Sequence, residues 1–197
     1  YSYDVKFNVY TYDKDGNLVD TSRDLNTASG NLANQLMGMW GMKTDSASNF
    51  SQMIPGKNCE LVSAVTTDSY DVLSGRFPTA YNEIVLVLDN NYSIDTTVLY
   101  QLGLISTSQY NEIVKSIENG GDAVTVSLQY SDVINQTFYL VPFCDYYKKN
   151  DDGTFGYIGD NAAAVAKAAQ NGIELKISGI IKPKEGANNA NVNTAIG

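Results

Sequence analysis

The sequence predicts an α+β domain in which a mixed, mostly antiparallel sheet is flanked by two to three helices. Residues 1–12 alternate between apolar and polar side chains, which is typical of a strand with one solvent-facing side. Residues 84–88, IVLVL, form a continuous apolar run with the length of a strand covered on both faces. Other segments carry apolar residues at helical spacing. Together these patterns indicate strands and helices in one core.

Composition limits the classes of function. The chain has 197 residues, 43% of them hydrophobic and 18% charged, which is typical of a globular domain with a sizeable core. A formal net charge of −9 disfavours nucleic acid and anionic membrane surfaces as partners. The absence of histidine removes the commonest general base and all imidazole metal ligands. We therefore expect no catalytic residue, no cofactor and no metal.

The two cysteines, Cys59 and Cys144, are too few for a disulfide scaffold and have the wrong spacing for zinc. Two alternatives stay open for them. They could pair outside the cell, or they could be two buried free thiols.

The N-terminal third begins with the strand over 1–12 and a turn at 13–17, after which residues 18–19 start a hairpin return. Aspartates in this turn and at 150–153 suggest calcium loops. Neither segment places suitable ligands at the first and twelfth positions, so both are predicted to be simple turns.

A helix is predicted over residues 25–42, and its C-terminal half carries an unusual apolar cluster. The cluster consists of Met37, Met39, Trp40 and Met42. One interpretation is a helix face against the core. The other is a soft surface for a partner or an apolar ligand.

Residues 70–104 are predicted to form a strand, a tight turn, the buried IVLVL strand, and a short helix from Thr96 to Gly103. In the turn, Gly75 permits the backbone to reverse and Pro78 stops any helix. Arg76 could clamp an anion, but we favour a structural role in which it pairs with a carboxylate or backbone carbonyls. Just before this stretch, residues 58–67 are either a strand or a helical turn.

The C-terminal half is predicted to alternate between helices and strands. An amphipathic helix follows Ser106 and ends at residues 120–121, and residues 123–130 and 136–143 form an antiparallel pair. A polar loop covers 146–157, Asp160 caps a helix over 162–170, and 173–181 is the last strand. We expect one domain over 1–183, with 1–45 as a part that could be loosely attached, and a flexible tail over 184–197.

Three ordered blocks of sequence carry a resemblance to a known family. The first is YDVLSGRFP at 70–78, followed by NEIVLVLD at 82–89 and Leu-Gly-Leu at 102–104. The second is DYYKK at 145–149 with Asp-Gly at 152–153, and the third is NGIELKISGIIKP at 171–183. These blocks resemble the extracytoplasmic, MacB-like periplasmic core domain of ABC transporter permeases of the MacB/FtsX type, especially the large versions of Gram-positive bacteria. Phe77 and Lys182 stand where tryptophan and arginine are common in that family.

The resemblance implies a non-enzymatic domain on the extracellular face, carried between two transmembrane helices of a longer protein. Its implied partners are a second permease subunit and a cytoplasmic ATPase, with a peptide or other apolar molecule as substrate. Such permeases are thought to transmit ATP-driven movement outwards for export of, or resistance to, peptides, lipids or antibiotics. Two other classes remain: a stand-alone cell-surface ligand-binding or adhesion module, and a secreted hydrolase that uses acidic residues.

Overall fold

The computed structural model describes residues 7–21, 49–121, 126–187 and 196–197. Within these ranges lie eight strands: β1 Phe7–Tyr12, β2 Leu18–Asp20, β3 Tyr70–Gly75, β4 Glu83–Val87, β5 Thr137–Pro142, β6 Tyr147–Lys149, β7 Phe155–Tyr157 and β8 Ile173–Pro183. The same ranges hold five α-helices: α1 Ala64–Ser69, α2 Thr96–Gln101, α3 Thr107–Glu118, α4 Tyr130–Ile134 and α5 Ala162–Gln170. A 3-10 helix, Phe143–Tyr146, precedes β6.

Six strands form one sheet in the order β2-β1-β5-β8-β3, and β4 also pairs with β8. Only the β4–β8 pair is parallel among these strand pairs, so the predicted α+β fold with a mostly antiparallel sheet is confirmed. Strand β8 has 11 residues and is central. Lys176 pairs with β5 and β4, and Ile180 with β3 and β4, so β5 and β3 share the edge opposite β4.

Both faces of the sheet are covered. Leu86 and Ile180 lie in the largest apolar cluster, where residues of α2, α3 and α4 pack. Their neighbours Val85 and Ile181 belong to a second cluster on the opposite face, because successive side chains of a strand alternate in direction. The prediction that the IVLVL segment is buried on both faces is therefore confirmed.

Strand β1 does not have the predicted solvent-facing side. Val9 packs in the largest cluster, whereas Tyr10 packs on the other face with Tyr146 and Ala169 of the α5 side. Val9, Tyr10 and Thr11 are all buried. The prediction of one solvent-facing side is therefore wrong for this part of the strand. Polar residues suggested that this face was exposed, but helix α5 covers it.

The predicted antiparallel pair over 123–130 and 136–143 is also wrong for residues 126–130, the part of its first strand that the structure describes. Residues 126–129 form no strand, and Tyr130–Ile134 is helix α4 instead of a turn. Strand β5 exists as expected, but β1 occupies one of its edges and β8 the other. A third strand had no edge left to pair with.

Two smaller expectations change in the C-terminal half. The predicted polar loop over 146–157 contains the β6–β7 hairpin, in which Tyr147 pairs with Tyr157. Helix α5 is capped by Asn161 and not by Asp160, since the Asn161 side chain accepts a hydrogen bond from the amide of Ala164. The sequence left the segment 58–67 open between a strand and a helical turn, and its second half is the start of helix α1, which is capped by Ser63.

The end of the described chain is part of the core. Ile196 is 1% exposed, forms bridges to Phe50 and Leu86, and packs in the largest cluster. Gly197 exchanges two backbone hydrogen bonds with Val85. The prediction of a flexible tail over 184–197 is therefore wrong for residues 196 and 197, because β4 offers them a free edge.

Candidate functional site

The turn after β3 is built on a left-handed glycine. Gly75 has φ +71°, and a Cβ there would overlap the carbonyl oxygen of Ser178 on β8. A Cβ on Gly179 would in turn overlap the carbonyl oxygen of Arg76. The two glycines thus allow β3 and β8 to approach closely where the turn begins.

The Arg76 side chain holds the turn from within. Its guanidinium donates to both carboxylate oxygens of Glu83, at 2.7 and 2.5 Å, and to the carbonyl oxygen of Phe77 at 3.1 Å. Glu83 also accepts from the amides of Thr79 and Ala80, and Pro78, directly before Thr79, is buried. Hydrogen bonding by Arg76, followed by that from Thr79, holds the pKa of Glu83 at about 2. These contacts are the ones that the structural interpretation of Arg76 predicts.

The turn is tied to β4 and β8 through Ser178. The Arg76 amide donates to the Ser178 carbonyl at 2.9 Å, and the Ser178 hydroxyl bonds the carbonyls of Arg76 and Ile84, each at 3.2 Å. Two of the three resemblance blocks, 70–89 and 171–183, therefore meet at this one junction. The second block, 145–153, lies elsewhere, where the buried Tyr146 hydroxyl bonds that of Tyr10 at 2.5 Å.

The predicted surface of Met37, Met39, Trp40 and Met42 lies outside the described residues, so that prediction stays open. The cysteines are described. Cys59 and Cys144 are both free and both exposed, so neither the disulfide nor the pair of buried thiols is found. Cys59 lies in a surface turn with φ +67°, and Cys144 lies in the 3-10 helix.

A groove of about 870 Å³ opens between α2 and the segment that precedes α4. Its floor is the sheet, through the buried Leu86 and Ile180. The lining combines an apolar floor with both apolar and polar side chains around it. It comprises Leu86, Leu88, Asn91, Tyr92, Ser93, Ile94, Thr96, Leu99, Val126, Ser127, Leu128, Gln129, Tyr130, Ser131, Val133 and Ile180.

None of these 16 lining residues is charged, although the chain carries a net charge of −9. Two tyrosines, Tyr92 and Tyr130, are 56% and 40% exposed at the rim. Tyr92 has φ +59° and lies under the ammonium group of Lys182, which is 4.4 Å from its ring centre. A volume of this size, an apolar floor and a few polar rim groups are the usual features of a ligand site.

The sequence did not indicate this groove. Its residues come from three separated stretches of the chain, 86–99, 126–133 and residue 180, and only the strand-like pattern over 123–130 pointed to one wall. The role of Gly179 was missed as well, because the residue it approaches, Arg76, is 103 positions earlier.

The acidic residues in the described part of the chain form no metal site. No group of three or more Cys, Asp or Glu side chains there could hold a metal ion. The carboxyls with a shifted pKa are Asp13, Glu83, Asp89 and Asp152, and each pKa is lowered by hydrogen bonds despite some desolvation. Within the same residues, no helix combines the length and apolar character needed to cross a membrane.

Comparisons with known protein families, with curated proteins and with solved structures find no match for this chain.

Proposed function

We propose that this chain is the extracytoplasmic domain of an ABC transporter permease of the MacB/FtsX type. In that role it carries out no chemistry, and it transmits movement driven by cytoplasmic ATP hydrolysis to the outer face of the membrane. Its partners are a second permease subunit and the cytoplasmic ATPase. The transported molecule is a peptide, a lipid or an antibiotic.

One observation carries the proposal: two blocks of family-like sequence lie together around the centre of the sheet. The motif residues Gly75 and Arg76 contact Ser178 and Gly179 of the other block through backbone hydrogen bonds and close approach. This contact between the two blocks supports the resemblance, because motif residues that serve the same structural unit are expected to lie in contact.

The contacts at this junction also suit a mechanical role. Tightly packed backbone with internal hydrogen bonds deforms little, so a displacement at one end of such a unit is passed on to the other. The Arg76–Glu83 pair adds two parallel hydrogen bonds that fix the turn in one geometry. Force applied at the turn would reach β4 and β8 together.

Labelling of the native thiols tests the location. Cys59 and Cys144 are exposed, so a membrane-impermeant maleimide added to intact cells should label them in the natural full-length protein. Cytoplasmic thiols of the partner ATPase serve as the control, since they should react only after lysis. Protection of both cysteines until the cells are lysed would contradict the proposal.

The main alternative is a stand-alone surface module that binds a ligand, and the groove favours it. Purification of the full-length protein from detergent-solubilised membranes separates the two. A permease should bring an ATP-hydrolysing partner with it, or contain one, and should be held by transmembrane helices on both sides of this domain. A surface module should be released by removal of a single anchor, without ATPase activity.

A further inference from the structure

Residues 126–129, one wall of the groove, have the side-chain alternation of a strand. Val126 and Leu128 pack against the largest apolar cluster, whereas Ser127 and Gln129 are exposed. Gln129 has extended backbone angles, φ −81° and ψ 145°. The segment thus presents one face to the core, as an edge strand does.

This segment has no strand partner. The amides of residues 126–129 and the carbonyls of residues 126–128 form no backbone hydrogen bond with the described part of the chain. Only the Gln129 carbonyl is used there, by the amide of Asp132 at the start of α4. Unpaired groups in an extended segment are a template for another strand.

The charges around the groove indicate what sort of chain would fit. The lining residues that the structure describes are uncharged, and Asp95 and Asp132 each lie between two of them, on opposite walls. One cation, the ammonium group of Lys182, lies over the ring of the lining residue Tyr92 and is engaged there. An occupant with apolar side chains at its centre and basic ends would complement this arrangement.

We propose that the groove binds an extended peptide, which adds as a strand beside residues 126–129 and places alternate apolar side chains over Leu86, Leu88 and Ile180. Main-chain hydrogen bonds would supply affinity and the apolar floor would select alternate side chains. The proposal does not depend on the permease assignment, because a surface module could carry the same groove.

A capped heptapeptide with the sequence lysine-valine-threonine-valine-threonine-valine-lysine is the probe. Its binding to the 197-residue chain is measured by fluorescence anisotropy. The same peptide with its valine amides methylated, and its isomer with the threonine amides methylated, test pairing. We expect one of the two to bind at least about tenfold more weakly, because only alternate amides face the partner strand.

Hydrogen exchange locates the contact. On saturation with the probe, alternate amides within 126–129 should exchange at least about tenfold more slowly, since they gain a partner. The amides of the β6–β7 hairpin, away from the groove, should not change.

Charge is tested with a matched pair of variants. Asp132→Asn should weaken binding of the lysine-flanked probe about twofold to threefold, and Asp68→Asn, an equally exposed aspartate on α1, should not. Equal binding of both methylated peptides and the parent, or no slowing of exchange within 126–129, would overturn the proposal. Failure of every peptide to bind would overturn it too, and would leave the permease assignment to be decided by the labelling experiment.

Discussion

At the scale of single residues, Gly75 and Gly179 determine how closely the chain packs at the β3–β8 junction. Both lack a Cβ at points where one would overlap a backbone carbonyl of the facing segment. Only Gly75 combines this with a left-handed backbone, φ +71°. Its replacement should therefore carry two separate costs, strain and overlap.

Gly153 provides the matched control, because it has φ +84° but open space around it. We expect Gly153→Ala to lower the free energy of unfolding by about 1 kcal/mol, from backbone strain alone. Gly75→Ala should lower it by about 2–4 kcal/mol, because the sheet must also separate. Urea unfolding of both variants measures the difference. Equal losses of unfolding free energy would show that the approach of β3 to β8 at Gly75 leaves room for a Cβ.

The Arg76–Glu83 pair predicts a pH dependence. The pKa of Glu83 is lowered to about 2 from an ordinary 4.5. A carboxyl whose pKa is lower in the folded state stabilises the fold above its unfolded pKa, and this contribution is lost as the pH falls through the folded pKa. Wild type should thus be more stable than Glu83→Gln at about pH 7, and this advantage should shrink between about pH 4.5 and about pH 2.

Urea unfolding at several pH values measures this advantage. Glu174→Gln is the control, because Glu174 forms an exposed ion pair with Lys176 and such pairs contribute little. An advantage of wild type over Glu83→Gln that persisted unchanged at about pH 2 would contradict the role given to the pair.

How much of this junction could be predicted depends on the distance along the chain. Gly75, Arg76 and Pro78 were predictable, since a Gly-x-x-Pro turn beside a buried strand needs only local residues. Gly179 and Ser178 were not, because their importance comes from contact with a turn about 100 positions away.

At the scale of elements, Asp13 connects the β1–β2 turn to helix α3. Its carboxylate is 5% exposed and accepts from the amides of Asp15 and Asn17. It also accepts from the Thr107 amide at 3.2 Å and the Thr107 hydroxyl at 2.7 Å. A side chain that the sequence predicted only as part of a turn therefore also binds the first turn of a helix.

Asp13→Ala should lower the free energy of unfolding by about 2–3 kcal/mol, because three part-buried backbone amides and the Thr107 hydroxyl lose a charged acceptor. Asp15→Ala is the control. Asp15 is exposed and its carboxylate accepts from Ser108, so we expect a loss below about 0.5 kcal/mol. Thermal or urea unfolding measures both, and a similar small loss for the two variants would contradict this account.

The error over residues 123–130 has a physical origin at the same scale. Alternating side chains report burial of one face, and they carry no information on whether a neighbouring edge is available. Residues 126–129 do show the alternation that the sequence predicted. They would have paired with β5, but both edges of β5 are occupied, one by β1 and the other by β8.

At the scale of the whole molecule, the fold class was predictable and the connections were not. Periodicity marked β1, β3, β4, β8, α3 and α5, which suffices for an α+β assignment. The central place of β8 and the groove depend on which strands meet, and this is decided by competition for edges over the whole chain. The number of helices was underestimated because α1 and α4, which were not predicted as helices, have only six and five residues.

The pairing of residues 196–197 with the free edge of β4 gives a prediction at this scale. Ile196→Ala should cost about 2–4 kcal/mol of unfolding free energy, because it leaves a cavity beside Leu86 and Phe50 in the largest cluster. Val65→Ala, at a side chain that is 60% exposed, should cost below about 0.5 kcal/mol. If the two variants unfold at the same urea concentration, residues 196–197 do not pair with the β4 edge in solution.

The central claim is that this domain lies outside the membrane and moves with the ATP cycle of a permease. Its most direct test is the rate at which an impermeant maleimide labels Cys59 and Cys144 of the full-length protein, with its ATPase, in right-side-out vesicles loaded with ATP or with ATP and vanadate. We predict labelling from outside in both states, at a rate that differs between them for at least one thiol. Labelling only after the vesicles are opened, or identical rates in the two states, would contradict the claim.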